Sequence, residues 1–222
     1  MVKVITFFKR KPGMSVEAFQ EYWRTRHAEI AKKVPDLRRY VQSHTLLSGY
    51  KKGEPVYDGV AELWYDDPET VRRVAGLPES RAALADSDNF VDPSTMAIIL
   101  TEEHVLKEGP TDGSTVKFVE FLTRRPGMEV EAFQEYWRAR HGPIAAKIPV
   151  IRRYVQCHTV LSAYRHGRQP PYDGVAEVWC DSTDALRQSA KAPEYAAVRA
   201  DEPNFMDVSK ARFIIAKEYE IR

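Results

Sequence analysis

The chain contains two copies of one sequence. The segment Pro12–His27 recurs as Pro126–His141, 114 residues later, and only two of its sixteen positions differ. An internal repeat of this length dictates the architecture, and each copy has about one hundred residues, enough for an independent core. The sequence therefore predicts two related domains, residues 1–107 and 115–222, joined by a linker at residues 108–114.

The similarity extends through most of each copy. Residues 37–42 return in closely similar form at 151–156, and residues 57–62 return unchanged at 172–177. All four tryptophans and four of the six histidines occupy duplicated positions, whereas neither cysteine does. The residues retained in both copies are therefore the first candidates for the core and for a site.

Each copy reads as strand, helix, two strands, helix and strand. Four short segments of the first copy have strand character: Val2–Phe8, Leu37–Leu47, Gly59–Tyr65 and Thr95–Leu100. Between the first two strands, apolar residues recur on one face of a helix that ends at Pro35: Phe19, Trp23, His27 and Ile30. Residues 69–85 predict one or two short helices. This order predicts a four-stranded antiparallel sheet with helices on one face.

Three motifs carry a resemblance to a known family. They are Phe-Gln-Glu-Tyr-Trp…His, then Tyr-Val-Gln…His, then an Asn-Phe…Asp segment, and each occurs in both copies. Together they resemble the EthD family, which belongs to the dimeric α+β barrel superfamily. The resemblance implies an α+β fold in which two ferredoxin-like β-α-β-β-α-β halves form an intramolecular dimeric α+β barrel. The chain would then be a pseudo-dimer by itself, with room for further homodimerisation.

Composition and charge exclude several classes of protein. The 222 residues carry a net charge of +1, which provides no clustered positive charge for nucleic-acid binding. No segment approaches the length and hydropathy of a membrane span, and the first residues lack the apolar core of a signal peptide. Two cysteines indicate no disulfide framework and fit a reducing compartment. We therefore expect a cytoplasmic protein that binds neither nucleic acid nor membrane.

Polar side chains concentrate on faces that should be buried. His27 ends the apolar helix stripe, and Tyr40, Gln42 and His44 share one face of the second strand. Histidine can exchange a proton near neutral pH, and buried polar groups require partners or a pocket. The predicted catalytic residues are His27, Tyr40 and His44 with their copies His141, Tyr154 and His158. The predicted substrate-binding residues are Trp23, Gln42, Glu62, Trp64, Trp137, Gln156, Glu177 and Trp179.

Structural explanations for the same residues stay open at this point. His27 could cap the end of its helix, and Tyr40, Gln42 and His44 could form a satisfied network inside the core. Tryptophans at duplicated positions are typical of core packing as well as of substrate stacking. The two histidines and one glutamate of each copy lack the spacing of a known metal site, so we predict no metal and no cofactor, with axial ligation of a haem as an alternative.

These features predict a cofactor-independent enzyme of the lyase, cyclase, dehydratase or isomerase type. It would use histidine acid/base chemistry on a small hydrophobic carbonyl or phenolic compound, in a catabolic or secondary-metabolic pathway. The wider superfamily includes oxygenases and haem-degrading enzymes, so the resemblance leaves an oxygenase open, cofactor-free or haem-dependent. A non-catalytic binding protein of a degradative pathway is the third alternative, because fold does not determine function.

Overall fold

The computed structural model describes residues 1–222, apart from the side chain of Lys52. In the first copy the strands are β1 (Val2–Phe8), β2 (Arg39–Thr45), β3 (Gly59–Tyr65) and β4 (Ala97–Lys107), and the helices are α1 (Val16–Tyr22), α2 (Ala28–Ala31), α3 (Pro68–Ala75) and α4 (Pro78–Ser87). In the second copy the strands are β5 (Val116–Leu122), β6 (Ile151–Thr159), β7 (Gly174–Cys180) and β8 (Arg212–Glu220), and the helices are α5 (Val130–Tyr136), α6 (Gly142–Ala145), α7 (Thr183–Ser189) and α8 (Pro193–Asp201). The predicted element order of both copies is confirmed.

The eight strands form a closed barrel in the order β1-β3-β2-β8-β5-β7-β6-β4. The chain divides into two compact units, residues 1–100 with 216–222, and residues 101–215. In the first unit β2 pairs with the end of β8, where Thr45 lies opposite Ala216. In the second unit β6 pairs with the end of β4, where Thr159 lies opposite Thr101. The predicted α+β barrel fold is therefore confirmed.

Strand β4 is longer than its apolar sequence indicates. We predicted that it ends at Leu100, but it continues to Lys107 because residues 101–107 pair with β6 of the second unit. Those residues are mostly polar, so the sequence pattern resembles a loop, whereas backbone pairing with a distant strand satisfies their N–H and C=O groups. The linker at residues 108–114 and the domain boundaries at residues 107 and 115 remain predictions that rest on the sequence repeat.

The first helix of each copy has a π-helical segment where we predicted a continuous α-helix. It spans Trp23–His27 in the first copy and Trp137–His141 in the second. π-Helical segments are rare in proteins overall, and many of those that occur lie at functional sites. Trp23 and His27 are both buried against the sheet, so the predicted apolar stripe is present despite the change in helix geometry.

A glycine on the third strand makes room for the tryptophan of this segment. A Cβ atom at Gly59 would lie 2.4 Å from the Trp23 ring, and one at Gly174 would lie 2.5 Å from the Trp137 ring. The absence of a side chain therefore lets each indole lie directly on the sheet. None of the helices in the described chain has the length and apolar character needed to cross a bilayer.

Candidate functional site

Each unit contains a cavity between its sheet and its helices, of about 310 Å³ in the first unit and about 300 Å³ in the second. These volumes lie at the lower end of the range for small-molecule sites. The predicted residues that line the first cavity are Trp23, His27 and Tyr40. Their copies Trp137, His141 and Tyr154 line the second cavity. Most other lining residues are apolar or aromatic, so the cavities suit a small hydrophobic molecule.

A histidine–aspartate pair lies at the edge of the first cavity. His27 Nδ1 lies 2.9 Å from Asp86 Oδ2, and Asp86 is placed there by the end of α4. The other carboxylate oxygen accepts hydrogen bonds from the Tyr22 hydroxyl at 2.8 Å and from the Asn89 amide at 3.1 Å. The His27 ring also packs on Phe90, with 4.8 Å between ring centroids. The imidazole is therefore held in one orientation by several contacts.

This arrangement makes the ring of His27 a neutral base. Burial lowers the pKa of His27 below its usual value, and the hydrogen bond with Asp86 raises it only in part. Burial raises the pKa of Asp86, but hydrogen bonds from His27, Tyr22 and Asn89 outweigh that effect and lower it overall. Because the ionised carboxylate only accepts hydrogen bonds, Nδ1 must donate, which leaves the lone pair of Nε2 available to take a proton.

The second unit repeats the pair with nearly the same distances. His141 Nδ1 lies 2.9 Å from Asp201 Oδ2, Tyr136 donates to Asp201 at 2.7 Å, and Asn204 donates at 3.1 Å. Burial lowers the pKa of His141 in the same way. Both cavities therefore hold one neutral histidine oriented by one carboxylate.

The hydroxyl of Tyr40 is prepared to donate a hydrogen bond. Its oxygen accepts from the Trp23 indole N–H at 3.1 Å and from the Gln42 amide at 2.9 Å. Gln42 is fixed in this orientation because the same amide nitrogen also donates to the carbonyl oxygen of Trp23 at 2.9 Å. Both lone pairs of the hydroxyl oxygen are thus occupied, and its proton is available to a ligand. Burial raises the pKa of Tyr40 to about 12, which keeps the proton in place.

His44 lies behind this hydroxyl and does not line the cavity. Its ring stacks on Trp23 with 4.3 Å between centroids, and its Nε2 lies 2.9 Å from the oxygen of Gln42. Burial lowers the pKa of His44 to about 3, so the ring is neutral and Nε2 donates to Gln42. His158, Gln156 and Trp137 repeat this arrangement in the second unit. The structure places His44 and Gln42 as supports for Tyr40.

The family of the chain follows from its two halves. The EthD domain matches residues 11–94 and 125–209, which together cover most of the sequence. The chain belongs to the EthD family. In this EthD protein the matched residues 11–94 contain both His27 and Asp86, so both sides of the histidine–aspartate pair lie within the domain.

Solved structures show the same fold at low sequence identity. An anthrone oxidase-like protein is 12% identical, covers 99% of this chain and 92% of its own, and has a TM-score of 0.63. A candidate monooxygenase from Fusobacterium nucleatum is 7% identical, covers 98% and 91%, and also has a TM-score of 0.63. An ethyl tert-butyl ether d (EthD) family protein from Bacillus halodurans is 27% identical over 47% of this chain and 99% of its own, with a TM-score of 0.40. The comparison with curated protein sequences finds no match.

Glu62 and Trp64 lie on the face of the sheet opposite the first cavity, apart from His27 and Tyr40. Tyr40 pairs with Leu63 across β2 and β3, so alternation turns Glu62 away from the helices. There Glu62 forms a buried ion pair with Lys3 at 3.1 Å. The Lys3 ammonium also lies 4.8 Å from the centre of the Trp64 ring. Glu177 and Trp179 occupy the matching positions with Lys117.

One group of side chains in the described residues has the donor atoms for a metal ion. Glu103, Cys157 and Glu177 have ligand atoms within 4.8 Å of one another. Glu177 already lies 3.4 Å from the Lys117 ammonium, so a resident cation occupies this corner. The group also lies on the sheet face opposite His141. Neither cysteine forms a disulfide.

Sequence reasoning did not assign a role in the site to three residues at the cavities. Asp86 contacts His27 across 59 positions, and no local sequence pattern indicates this contact. Tyr22 contacts Asp86 across 64 positions, again without a local pattern. Glu120 lies at a position where the first copy has Thr6, so a comparison of the two copies for identical residues does not select it.

Proposed function

We propose that each half of this EthD protein is a proton-transfer site for a small hydrophobic carbonyl or phenolic compound. The observation that carries the proposal is the neutral histidine at each cavity, oriented through Nδ1 by a partly buried aspartate at 2.9 Å. Such a pair is a general base whose second nitrogen faces the ligand, and the aspartate stabilises the imidazolium that forms. The reaction types that fit are isomerisation, cyclisation, dehydration or another lyase reaction, without a cofactor.

The chemical step can be written with this chain's own residues. Nε2 of His27 removes a proton from the carbon next to the ligand carbonyl, and the C–H electron pair forms the C=C bond of an enolate. The carbonyl π electrons move to oxygen, where the Tyr40 hydroxyl donates a hydrogen bond to the developing charge. If the ligand has a second C=C next to the enolate, the C=O bond re-forms, the double bond shifts, and the distal carbon takes the proton from His27, which completes an isomerisation. If the ligand has a hydroxyl group on the β carbon, re-formation of the C=O bond moves the enolate pair into a new C=C bond, the β C–O bond breaks, and the hydroxide takes the proton from His27 and leaves as water, which completes a dehydration.

Oxygenation is the second candidate for the same site. An enolate or phenolate made by His27 is electron-rich and can transfer electrons to dioxygen, which enters as the co-reactant. The aromatic walls of the cavity, among them Trp23 and Phe90, suit a polycyclic phenol. A protein of similar fold is described as anthrone oxidase-like. Because both candidates begin with the same deprotonation, they differ only in whether oxygen is consumed. We place either reaction in the cytoplasm, in a catabolic or secondary-metabolic pathway.

The test combines one pair of substitutions with two measurements. Hydroxylated aromatic compounds and cyclic ketones are incubated with the protein in D2O, and proton NMR follows exchange of the C–H next to the oxygen-bearing carbon. Replacing both histidines, His27→Gln with His141→Gln, should slow exchange by roughly a hundredfold or more. His166→Asn is the matched control, because His166 is exposed and asparagine tolerates its positive φ of 61°.

An oxygen electrode then separates the two candidates. Oxygen uptake that depends on His27 and His141 favours the oxygenase, and exchange without uptake favours the isomerase or lyase. Exchange that stays at the wild-type rate in the double variant would mean that these histidines do not transfer the proton.

A further inference from the structure

The two cavities differ sharply in the polar groups that line them. The first cavity has Thr6 on β1 where the second has Glu120 on β5, and both lie at the same place in their sheets, opposite Ala61 and Ala176. Near the end of the last helix, Leu84 and Ser87 of the first cavity are replaced in the second cavity by Arg199 and Glu202. Two neutral hydroxyl side chains and one leucine are thus replaced by three ionisable groups.

Two of the new groups neutralise each other. Arg199 Nη1 lies 2.5 Å from Oε2 of the buried Glu202, and both residues line the second cavity. Glu120 differs from them. Within the described residues its carboxyl group takes part in no hydrogen bond, and the charges that act on it are Glu202 and Arg199 at longer range. Burial in this cavity and the charge of Glu202 raise the pKa of Glu120 to about 7.

Glu120 is partly buried and its carboxyl group lines a mostly apolar cavity, so a ligand that displaces water from this cavity has to offer a hydrogen bond to the carboxyl in return. The ligand group has to be a hydrogen-bond donor or a cation. A neutral donor fits better than a cation, because the guanidinium group of Arg199 already acts on Glu120 as a positive charge and most of the cavity wall is apolar. The surrounding walls are aromatic and aliphatic, which suits a neutral ring bearing a hydroxyl group.

We infer that the second cavity has an added preference for a phenolic or enolic ligand, through a hydrogen bond from the ligand hydroxyl to Glu120, whereas the first cavity has Thr6 in place of this carboxyl and lacks the added preference. The inference rests on the proposed function, which takes both cavities as ligand sites, and adds a difference in ligand class between them. The halves would then process different members of one chemical family. Glu120 determines specificity, and the histidine–aspartate pair remains common to both.

The test uses 2-naphthol as the hydroxylated probe, and naphthalene and 2-methoxynaphthalene as ring-matched probes without a donor. Trp23 and Trp137 line the first and second cavities, so their indole N–H signals in nitrogen-15 NMR report binding at each cavity separately. Titration of the full chain should give a stronger preference for 2-naphthol over the two controls at Trp137 than at Trp23.

Three variants test the role of the Glu120 carboxyl group directly. Glu120→Leu should weaken 2-naphthol binding at Trp137 by roughly tenfold or more, while naphthalene binding stays the same or improves. Glu120→Gln retains an acceptor oxygen and should lose less. Thr6→Glu should confer the preference on the first cavity. Unchanged titration of Trp23 in both Glu120 variants shows that the fold is intact.

The outcomes separate this inference from the proposed function. Equal effects of Glu120→Leu on 2-naphthol and naphthalene, or no effect on either, overturn the role of Glu120 and leave the histidine–aspartate proposal standing. Failure of all three probes to shift Trp137 counts against the second cavity as a ligand site and therefore against both. Loss of proton exchange in the histidine variants with a retained naphthol preference supports both.

Discussion

The neutral histidines behind Tyr40 and Tyr154 should make the protein sensitive to acid. His44 and His158 are buried, stack on Trp23 and Trp137, and have a pKa of about 3 because burial disfavours the imidazolium. In the unfolded chain a histidine has its ordinary pKa of about 6.5. The folded pKa is the lower one, so the stability that these groups contribute is complete above pH 6.5 and is lost as pH falls toward 3.

The size of the effect follows from proton linkage. Between pH 7 and pH 5 the unfolded state gains a proton at each histidine and the folded state does not, which costs about 2 kcal/mol for each ring. Glu120 acts in the opposite direction, because its folded pKa of about 7 lies above that of an unfolded glutamate. Its protonation in the folded state adds about 2 kcal/mol over the same interval. Together, His44, His158 and Glu120 should lower the free energy of unfolding of the wild-type protein by about 2 kcal/mol between pH 7 and pH 5.

The assay is chemical unfolding at pH 7 and at pH 5, for the wild type and for two variants. His44→Gln with His158→Gln should lower stability at pH 7 and should reduce the loss of stability between pH 7 and pH 5 by about 4 kcal/mol relative to the wild type. Glu120→Thr should deepen the loss by about 2 kcal/mol. The contributions of His27 and His141 are common to all three proteins and cancel. A pH dependence identical in the wild type and the histidine variant would refute the assignment of His44 and His158 as buried neutral groups.

Two further predictions concern the elements that hold the site. Gly59→Ala should destabilise the protein by about 1–3 kcal/mol, because the new methyl group would overlap Trp23. Thermal unfolding measures the loss, with Gly113→Ala as the control because a Cβ atom at Gly113 has no neighbour within 4 Å. Equal effects of the two substitutions would contradict the role of Gly59. Asp86→Asn with Asp201→Asn should move the proton of His27 and His141 from Nδ1 to Nε2, which nitrogen-15 NMR of the histidine rings detects. The same variant should slow proton exchange by roughly 10–100-fold with little change in KM. An unaltered tautomer would contradict the orienting role of the aspartates.

The fold was predictable because its signals are local or repeated. Strands Val2–Phe8 and Gly59–Tyr65 have their predicted bounds, since short runs of strand formers between turn residues suffice to define them. The extension of β4 to Lys107 was not predictable, because the polar residues 101–107 form a strand only through pairing with β6. The π-helical turn at Trp23–His27 was missed for a related reason, since its apolar spacing is the same as that of an ordinary helix.

The site was predictable only in part. The inward orientation of His27 and Tyr40 follows from helical and strand periodicity, and the cavity includes both. Their separation from Glu62 depends on the register between β2 and β3, which places Tyr40 opposite Leu63, and sequence periodicity gives no information about register between strands. Asp86 reaches His27 through packing of α4 on the first helix, a tertiary contact without a local signature.

Duplication within one chain explains why the two sites agree in one part and differ in another. In a homodimer each substitution appears in both sites, whereas here a change such as Thr6 to Glu120 affects one cavity alone. The histidine–aspartate distance is 2.9 Å in both units, so this pair has been retained. Other residues that line the cavities differ, as Thr6 and Glu120 do. A retained histidine–aspartate pair with altered cavity walls is the pattern that our proposal predicts for two sites with one reaction and different ligands.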